Sequence, residues 1–412
     1  MNKNKIKILV IPSDKGGVGK FRSVDPHVYI DRHFTDDFDI DICYIEQIPT
    51  NGTEDFFKKY DIVHIHRQLD NNMYLMNLLK KLDILTVVDV DDYYHLGDYH
   101  PLSITAKKEK WHEITINHLR MADYVTTTTP IYAKVLNKLN KNVLVFPNAI
   151  DPSEAQYSSE KNPSNGKLRV GVICGSSHLY DVEKLKGIAE CARPDTNVQI
   201  VLCGFDTNGT RTFYNEVTGE VNKRPILPKE TVWYEYEKIL TDNYKYCSEE
   251  HKKFLMSFQP NIDDPFVDEP YRRMWTRNIN EYATHYKNVD VLLAPLKETD
   301  FNKMKSELKE IECGFTKTAL IAENYGPYTL NLTPLLEFGG KINKNGTALL
   351  VDPNKDHKDW KKYINKLSEN RELVGLLQNN INSLVKDKYS LEQVCKLRVD
   401  FYKDIYNKKY NS

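Results

Sequence analysis

The sequence predicts an α/β chain of two doubly wound domains facing each other across a cleft, closed by a C-terminal helix. Three observations carry that prediction. Short apolar, β-branched runs alternate with helical or polar stretches. A stretch rich in Pro, Ser, Asn and Gly, residues 147–167, interrupts the alternation, and the same pattern restarts at residue 168. At 412 residues the chain is also too long for one typical core and fits two or three domains.

In the first half, "IKILVI", "DIDICYI", "DIVHIH", "ILTVVDV", "DYVTTT" and "NVLVFP" read as strands. Several end in polar residues, as strands of an open parallel sheet do where their carboxyl ends face a ligand crevice. Between them "NNMYLMNLLKKL" and "TPIYAKVLNKL" have helical spacing. These elements place a first, Rossmann-like domain at residues 1–160. A second domain of similar construction spans 168–385, with strands in "LRVGVICGSSH", "VQIVLCG", "VDVLLAPL", "TALIAE" and "TALLVD" and helices in "DVEKLKGIAECA" and "NKMKSELKEIECG". The Tyr-, Trp- and charge-rich stretch 206–288 is longer than a normal connection and reads as a helical elaboration of this domain or a lid. Residues 386–412 have apolar positions at helical spacing behind a Ser cap and read as a closing helix.

Charge excludes little but is informative. With 57 basic against 58 acidic side chains, net −1, no global field recommends nucleic acid or an anionic membrane. Seven cysteines without a C-x-x-C pair argue against a disulfide framework or zinc ribbon and read as buried thiols. No apolar run approaches a membrane span, and "MNKNKIKILV" is too short in its apolar core for a secretory signal, so the expected place is the cytoplasm, free or peripheral to a membrane.

"KGGVGK", residues 15–20, follows the first strand in the context of a phosphate loop. The next residue is Phe21 where an ATPase loop needs a Ser or Thr hydroxyl for Mg²⁺, and Pro26 falls where the first helix should run. A glycine loop that brings backbone to a ligand is the better reading. "GSSHLYD" sets Ser176, His178 and Asp181 at a strand-to-helix turn, a place for an anion as well as for ordinary caps. "VVDVDDYYHL" puts Asp91, Asp92 and His95 at a strand end, as cleft residues and candidate catalytic groups that could orient a substrate hydroxyl; a D-x-D reading of Asp89 and Asp91 as metal ligands is the alternative. His64 and His66 share a strand face and read as hydrogen-bonded structure. Arg272, Arg273 and Arg277 have helical spacing beside Tyr271 and Trp275, and with Arg22 are candidates for a phosphate or an anionic acceptor.

At "NKMKSELKEIECGFTKTALIAENYGPY" the chain resembles the donor segment of GT-B glycosyltransferases, in particular the retaining family 4 enzymes (glycosyl transferases group 1). The matching residues are Lys305, Ser306, Lys309 and Glu312 on an expected helix, then a strand and the turn Gly326-Pro327-Tyr328. "ADYVTTTTPIYAKVL", "VFPNAID" and "VGVICGSSHLYD" extend the resemblance over most of the chain. Helical spacing puts Lys305, Lys309 and Glu312 near one face. The resemblance implies that Glu312 accepts the ribose hydroxyls of a sugar nucleotide while lysines and helix amides neutralise its diphosphate. Many family members carry a second glutamate eight positions earlier, where this chain has Met304. In such a fold Gly16 and Gly17 approach the donor, and Ser176 and His178 face it from the second domain.

The expectation is therefore a hexosyltransferase-type enzyme that moves a sugar from a UDP- or GDP-sugar to an acceptor hydroxyl, with retention and without metal or other cofactor. The acceptor (a glycan, a lipid-linked glycan, a protein or a modified nucleic acid) and the oligomeric state are not readable. A sugar-nucleotide epimerase of the same architecture would need no acceptor, and a silent carbohydrate-binding or scaffold protein would keep the fold without nucleotide affinity.

Overall fold

The structure is a computed structural model that describes residues 5–69, 73–214, 218, 221–260, 264–355 and 357–410. Residues 1–4 of the expected first domain, 71–72 of an expected helix and 411–412 of the closing helix lie outside them. The first sheet holds β1 (Ile6–Ile11), β2 (Phe38–Ile42), β3 (Ile62–His66), β4 (Leu85–Asp89), β5 (Tyr124–Thr127) and β6 (Val143–Val145). All are parallel, in the order β2-β1-β3-β4-β5-β6. The chain then builds β7 (Leu168–Ile173), β8 (Val198–Phe205), the hairpin β9 (Thr210–Tyr214) and β10 (Val221–Pro225), β11 (Tyr271–Trp275), β12 (Val291–Ala294), β13 (Ala319–Glu323) and β14 (Leu349–Val351). Its second parallel sheet runs β11-β8-β7-β12-β13-β14. Strands β3, β4, β7 and β13 are buried along their whole length, as parallel strands covered on both faces must be. Each sheet reverses its order beside its first strand, between β1 and β3 and between β7 and β12. Ligands bind such sheets outside the carboxyl ends at these reversals.

Three local differences from the sequence reading have physical causes. The helix after β1 runs from Gly17 to His33 despite Pro26, because a π-turn at Lys20–Val24 precedes the regular helix Asp25–His33. Proline at the second position of that helix needs no amide partner there. The expected helix 302–314 is two: Asp300–Lys303 and Leu308–Phe315, with Met304, Lys305, Ser306 and Glu307 between them. Lys305 therefore does not share a helical face with Lys309 and Glu312. Finally, the stretch 206–288 contains the hairpin and the edge strand β11 as well as the helices Val232–Thr241 and Glu249–Met256. Arg272 and Arg273 lie on β11, where the expected helical spacing has no meaning.

The helix Leu391–Tyr410 returns to the first domain. Leu391, Val394, Val399 and Phe401 join Ile8, Ile30 and Phe38 in one apolar cluster. Its Tyr402 hydroxyl bonds His27 Nε2 at 2.8 Å and His64 Nδ1 at 2.9 Å, which accounts for His64 as hydrogen-bonded structure. No described helix is long and apolar enough to cross a membrane.

Candidate functional site

The facing carboxyl ends of the two sheets enclose a cavity of about 390 Å³, within the size range of small-molecule sites. The first domain contributes Gly17, Phe21, Arg22, Asp91, Asp92 and Asn148 to its wall; the second contributes Gly175, His178, Tyr282, Lys305, Lys309 and Glu312, with Ser306 and Tyr328 beside them. Most residues singled out from the sequence thus meet in one place.

On the second-domain side, the turn after β7 carries His178, whose Nδ1 meets Asp181 Oδ2 at 2.9 Å. With Nδ1 donating to that carboxylate, Nε2 is free to accept the Lys305 ammonium at 3.2 Å. Burial and the Lys305 charge push the ring down to about 4, so it is neutral at pH 7. Burial also lowers Lys305. The turn Gly326–Thr329 supports this wall from behind. Gly326 has φ +57°, and a side chain there would lie 2.8 Å from the Asn302 carbonyl. Asn302 in turn donates to Asp181 Oδ1 at 2.7 Å. Gly326 and Pro327 therefore shape the wall, and Tyr328 reaches the cavity.

Glu312 is fully buried. Its Oε2 accepts from Lys309 Nζ at 2.7 Å and from the Tyr286 hydroxyl at 2.6 Å, and its Oε1 accepts from the Tyr282 hydroxyl. Neither tyrosine was marked by sequence reasoning. Their i,i+4 spacing in "YATHY" is the signal that could have found them.

On the first-domain side, Asp91 Oδ1 lies 3.4 Å from His66 Nε2 and 3.3 Å from Arg67 Nε. Burial opposes its ionisation, but the His66 hydrogen bond and the Arg67 charge outweigh it and hold the carboxyl below its usual range. Asp92 behaves oppositely. Burial and the Asp91 charge push it up to about 6. The folded state thus binds this proton more tightly than the unfolded chain, so the stabilisation is complete below pH 3.8 and is lost as pH rises through about 6. Asp92→Asn is expected to raise the melting temperature at pH 7–8 relative to wild type, with the gap closing towards pH 4; melting curves across that range check it, and a gap that is constant with pH refutes it.

Other expected site residues are brought elsewhere. His95 is exposed and packs against His112, ring centroids 4.9 Å apart, beside a separate cavity of about 230 Å³. Ser176 and Gly16 are exposed and do not line the central cavity, and the Gly16 amide already donates to Asp14 Oδ1 at 2.8 Å. The glycine that this loop requires is Gly19, where a side chain would come within 2.0 Å of the Asp14 carbonyl. Lys20, the lysine of the phosphate-loop pattern, pairs with Asp25 at 2.9 Å and Glu154 at 3.2 Å.

Arg22 touches the cavity but is otherwise engaged. It is 1% exposed, and it grips Asp89 through Nε at 2.9 Å and Nη2 at 2.6 Å while Nη1 donates to the Phe146 carbonyl and the Asn148 side chain. Asn148 passes the connection across the cleft to Ser306 Oγ at 3.0 Å. Asp89 is thereby spent on Arg22 and on the Thr126 hydroxyl at 2.5 Å, and the D-x-D pair loses a ligand. Among the described residues no three His, Cys, Asp or Glu side chains are grouped to hold a metal ion. Arg273 is paired in two hydrogen bonds with the buried Glu237, and Arg272 donates to Asn288 at 3.2 Å. Both border a cavity of about 330 Å³ against β11, separate from the central one.

No protein-family model and no curated protein sequence matches the chain. Solved structures do. The chain is similar to sucrose-phosphate synthase from Thermosynechococcus elongatus, with a TM-score of 0.62 at 12% identity over 98% of this chain and 100% of that one. It is similar to Anabaena HepE in complex with UDP and glucose, with a TM-score of 0.59 at 10% identity over 97% and 100%. An alpha-glucosyltransferase in complex with UDP and a 13-mer DNA containing a HMU base gives 0.56 at 12% identity over 96% and 99%. The fold is therefore that of the GT-B glycosyltransferases, two α/β domains of six parallel strands each with a C-terminal helix.

Proposed function

We propose that the chain is a glycosyltransferase that moves a sugar from a nucleoside diphosphate donor to an acceptor hydroxyl, with retention at the anomeric carbon and without a metal ion. The observation that carries this reading is the convergence of Lys305, Lys309 and Glu312 on one wall of the interdomain cavity, opposite Asp91 and Asp92. Glu312 accepts the ribose hydroxyls. Lys305 and Lys309 offset the charge that builds on the departing diphosphate, the work a divalent metal does in other transferases. The neutral His178 holds Lys305 in place without adding charge. Asp92, raised towards neutrality, orients the acceptor hydroxyl across the cleft, and closure of the domains excludes water. Neighbours whose structures hold UDP with glucose, UDP with DNA, or ADP with acarbose support a nucleoside diphosphate donor and leave its base and the acceptor class open. Retention rests on the family 4 resemblance of the segment 305–328.

Melting curves with UDP, GDP, ADP and their common sugar conjugates, with and without EDTA, test the reading. Ligand at 100 times its Kd adds about 2.7 kcal/mol to apparent stability. One nucleoside diphosphate is expected to raise the melting temperature, unchanged by EDTA. No shift with any nucleotide overturns the reading, and a shift abolished by EDTA overturns its metal-free part.

A further inference from the structure

Glu312 carries more hydrogen bonds than a ribose seat can spare. A carboxylate has about four lone-pair sites. Lys309 and Tyr286 fill two on Oε2, and Tyr282 fills one on Oε1. One site remains, whereas a ribose diol brings two donors. Some donor must leave before both hydroxyls can bind.

The three present donors differ in their freedom to do so. Tyr286 is fully buried in the apolar cluster of the second domain, so swinging its ring aside would disturb that packing. Lys309 supplies the charge that balances a buried carboxylate, and removing it is costly. Tyr282 is half-buried at the edge of that cluster and lines the cavity. It is also the only one of the three on Oε1.

We propose that Tyr282 is a gate on the ribose seat, its hydroxyl occupying Glu312 Oε1 until a nucleotide's vicinal diol displaces it. This rests on the reading of the cavity as a sugar-nucleotide site and adds a positioning residue that sets ribose specificity. Tyr286 and Lys309 form the permanent half of the seat and keep the carboxylate aimed; Tyr282 forms the removable half. Burial, and then the Glu312 charge, hold both phenols well above their ordinary pKa, so both remain donors at neutral pH. The gate also touches the interdomain linker, because the amide of the next residue, Ala283, donates to Gln156 Oε1 at 3.3 Å.

The test compares Tyr282→Phe with wild type by calorimetric titration of UDP and of 2′,3′-dideoxy-UDP, or of the same pair built on whichever base the melting curves select. Loss of one competing hydrogen bond is expected to tighten the full nucleotide about 3- to 10-fold and to leave the dideoxy compound unchanged. Tyr286→Phe, which loosens the permanent half, is expected to weaken the full nucleotide and again spare the dideoxy one. If Tyr282→Phe weakens UDP, or changes both compounds alike, the gate is overturned while the sugar-nucleotide site stands. If neither wild type nor variant binds any nucleotide, the site reading fails and the gate with it. Binding to the variant alone supports a gate held shut.

Discussion

Asp89→Asn is expected to destabilise the protein by about 3–5 kcal/mol, the usual cost of breaking a buried ion pair on one side. The substitution preserves shape, so no cavity forms. What changes is charge. Asp89 is wholly buried and its carboxylate faces Arg22, which is 1% exposed, with the buried Arg398 guanidinium also in its field. Burial opposes ionisation of Asp89, but the Arg22 charge and its two hydrogen bonds outweigh it and depress the carboxyl far below 3.8. A depressed carboxyl contributes stability above its unfolded pKa and loses it as pH falls through the folded value. Wild type should therefore lose stability on acidification below pH 3.8, and Asp89→Asn should lack that component of the loss. Urea unfolding at pH 7, and again between pH 4 and pH 2, measures both effects. A difference under about 1 kcal/mol at pH 7 would show that this pair does not anchor the first domain.

Lys305→Ala is expected to lower sugar transfer by about 10²–10³-fold, the range seen when a single preorganised charge-stabilising donor is removed. The loss should fall mainly on kcat, because the diphosphate gains negative charge only as the glycosidic bond breaks. Removing the ammonium also takes a positive charge from His178 and Asp92. Both groups then protonate at higher pH, so the variant's pH profile should move upward as well as down in rate. Rates within threefold of wild type would remove Lys305 from the proposed machinery. Donor hydrolysis supplies the assay until an acceptor is found.

The first sheet was legible because its strands are mostly apolar and β-branched, and its central strands are buried over most or all of their length; "IKILVI" and "DIVHIH" have no competing period. Strand β11 was not, since "YRRMW" puts two arginines in the edge strand of a buried sheet. Arg273 is tolerated there by Glu237, thirty-six residues earlier, and such a partner is invisible to local pattern. The second-domain wall of the cavity divides the same way. Lys305, Lys309 and Glu312 stand close together in sequence and were found together, although the break at residues 304–307 was missed because Met-Lys-Ser-Glu holds no helix breaker. Tyr282 and Tyr286 bond Glu312 from thirty and twenty-six residues away, so only the tertiary fold reveals them. Arg22 is a related case. A basic residue near a glycine loop suggests phosphate, and nothing local betrays that Asp89 consumes it.

The return of the helix Leu391–Tyr410 to the first sheet has a consequence for synthesis on the ribosome. Translation delivers β1 to β6 early, but the apolar cluster of Ile8, Ile30 and Phe38 is completed only when the helix Leu391–Tyr410 emerges. Domains that are complete in sequence fold as they leave the exit tunnel; this one must wait until the whole second domain has been made. During that interval the nascent chain presents an uncovered greasy surface, a natural point for chaperone capture.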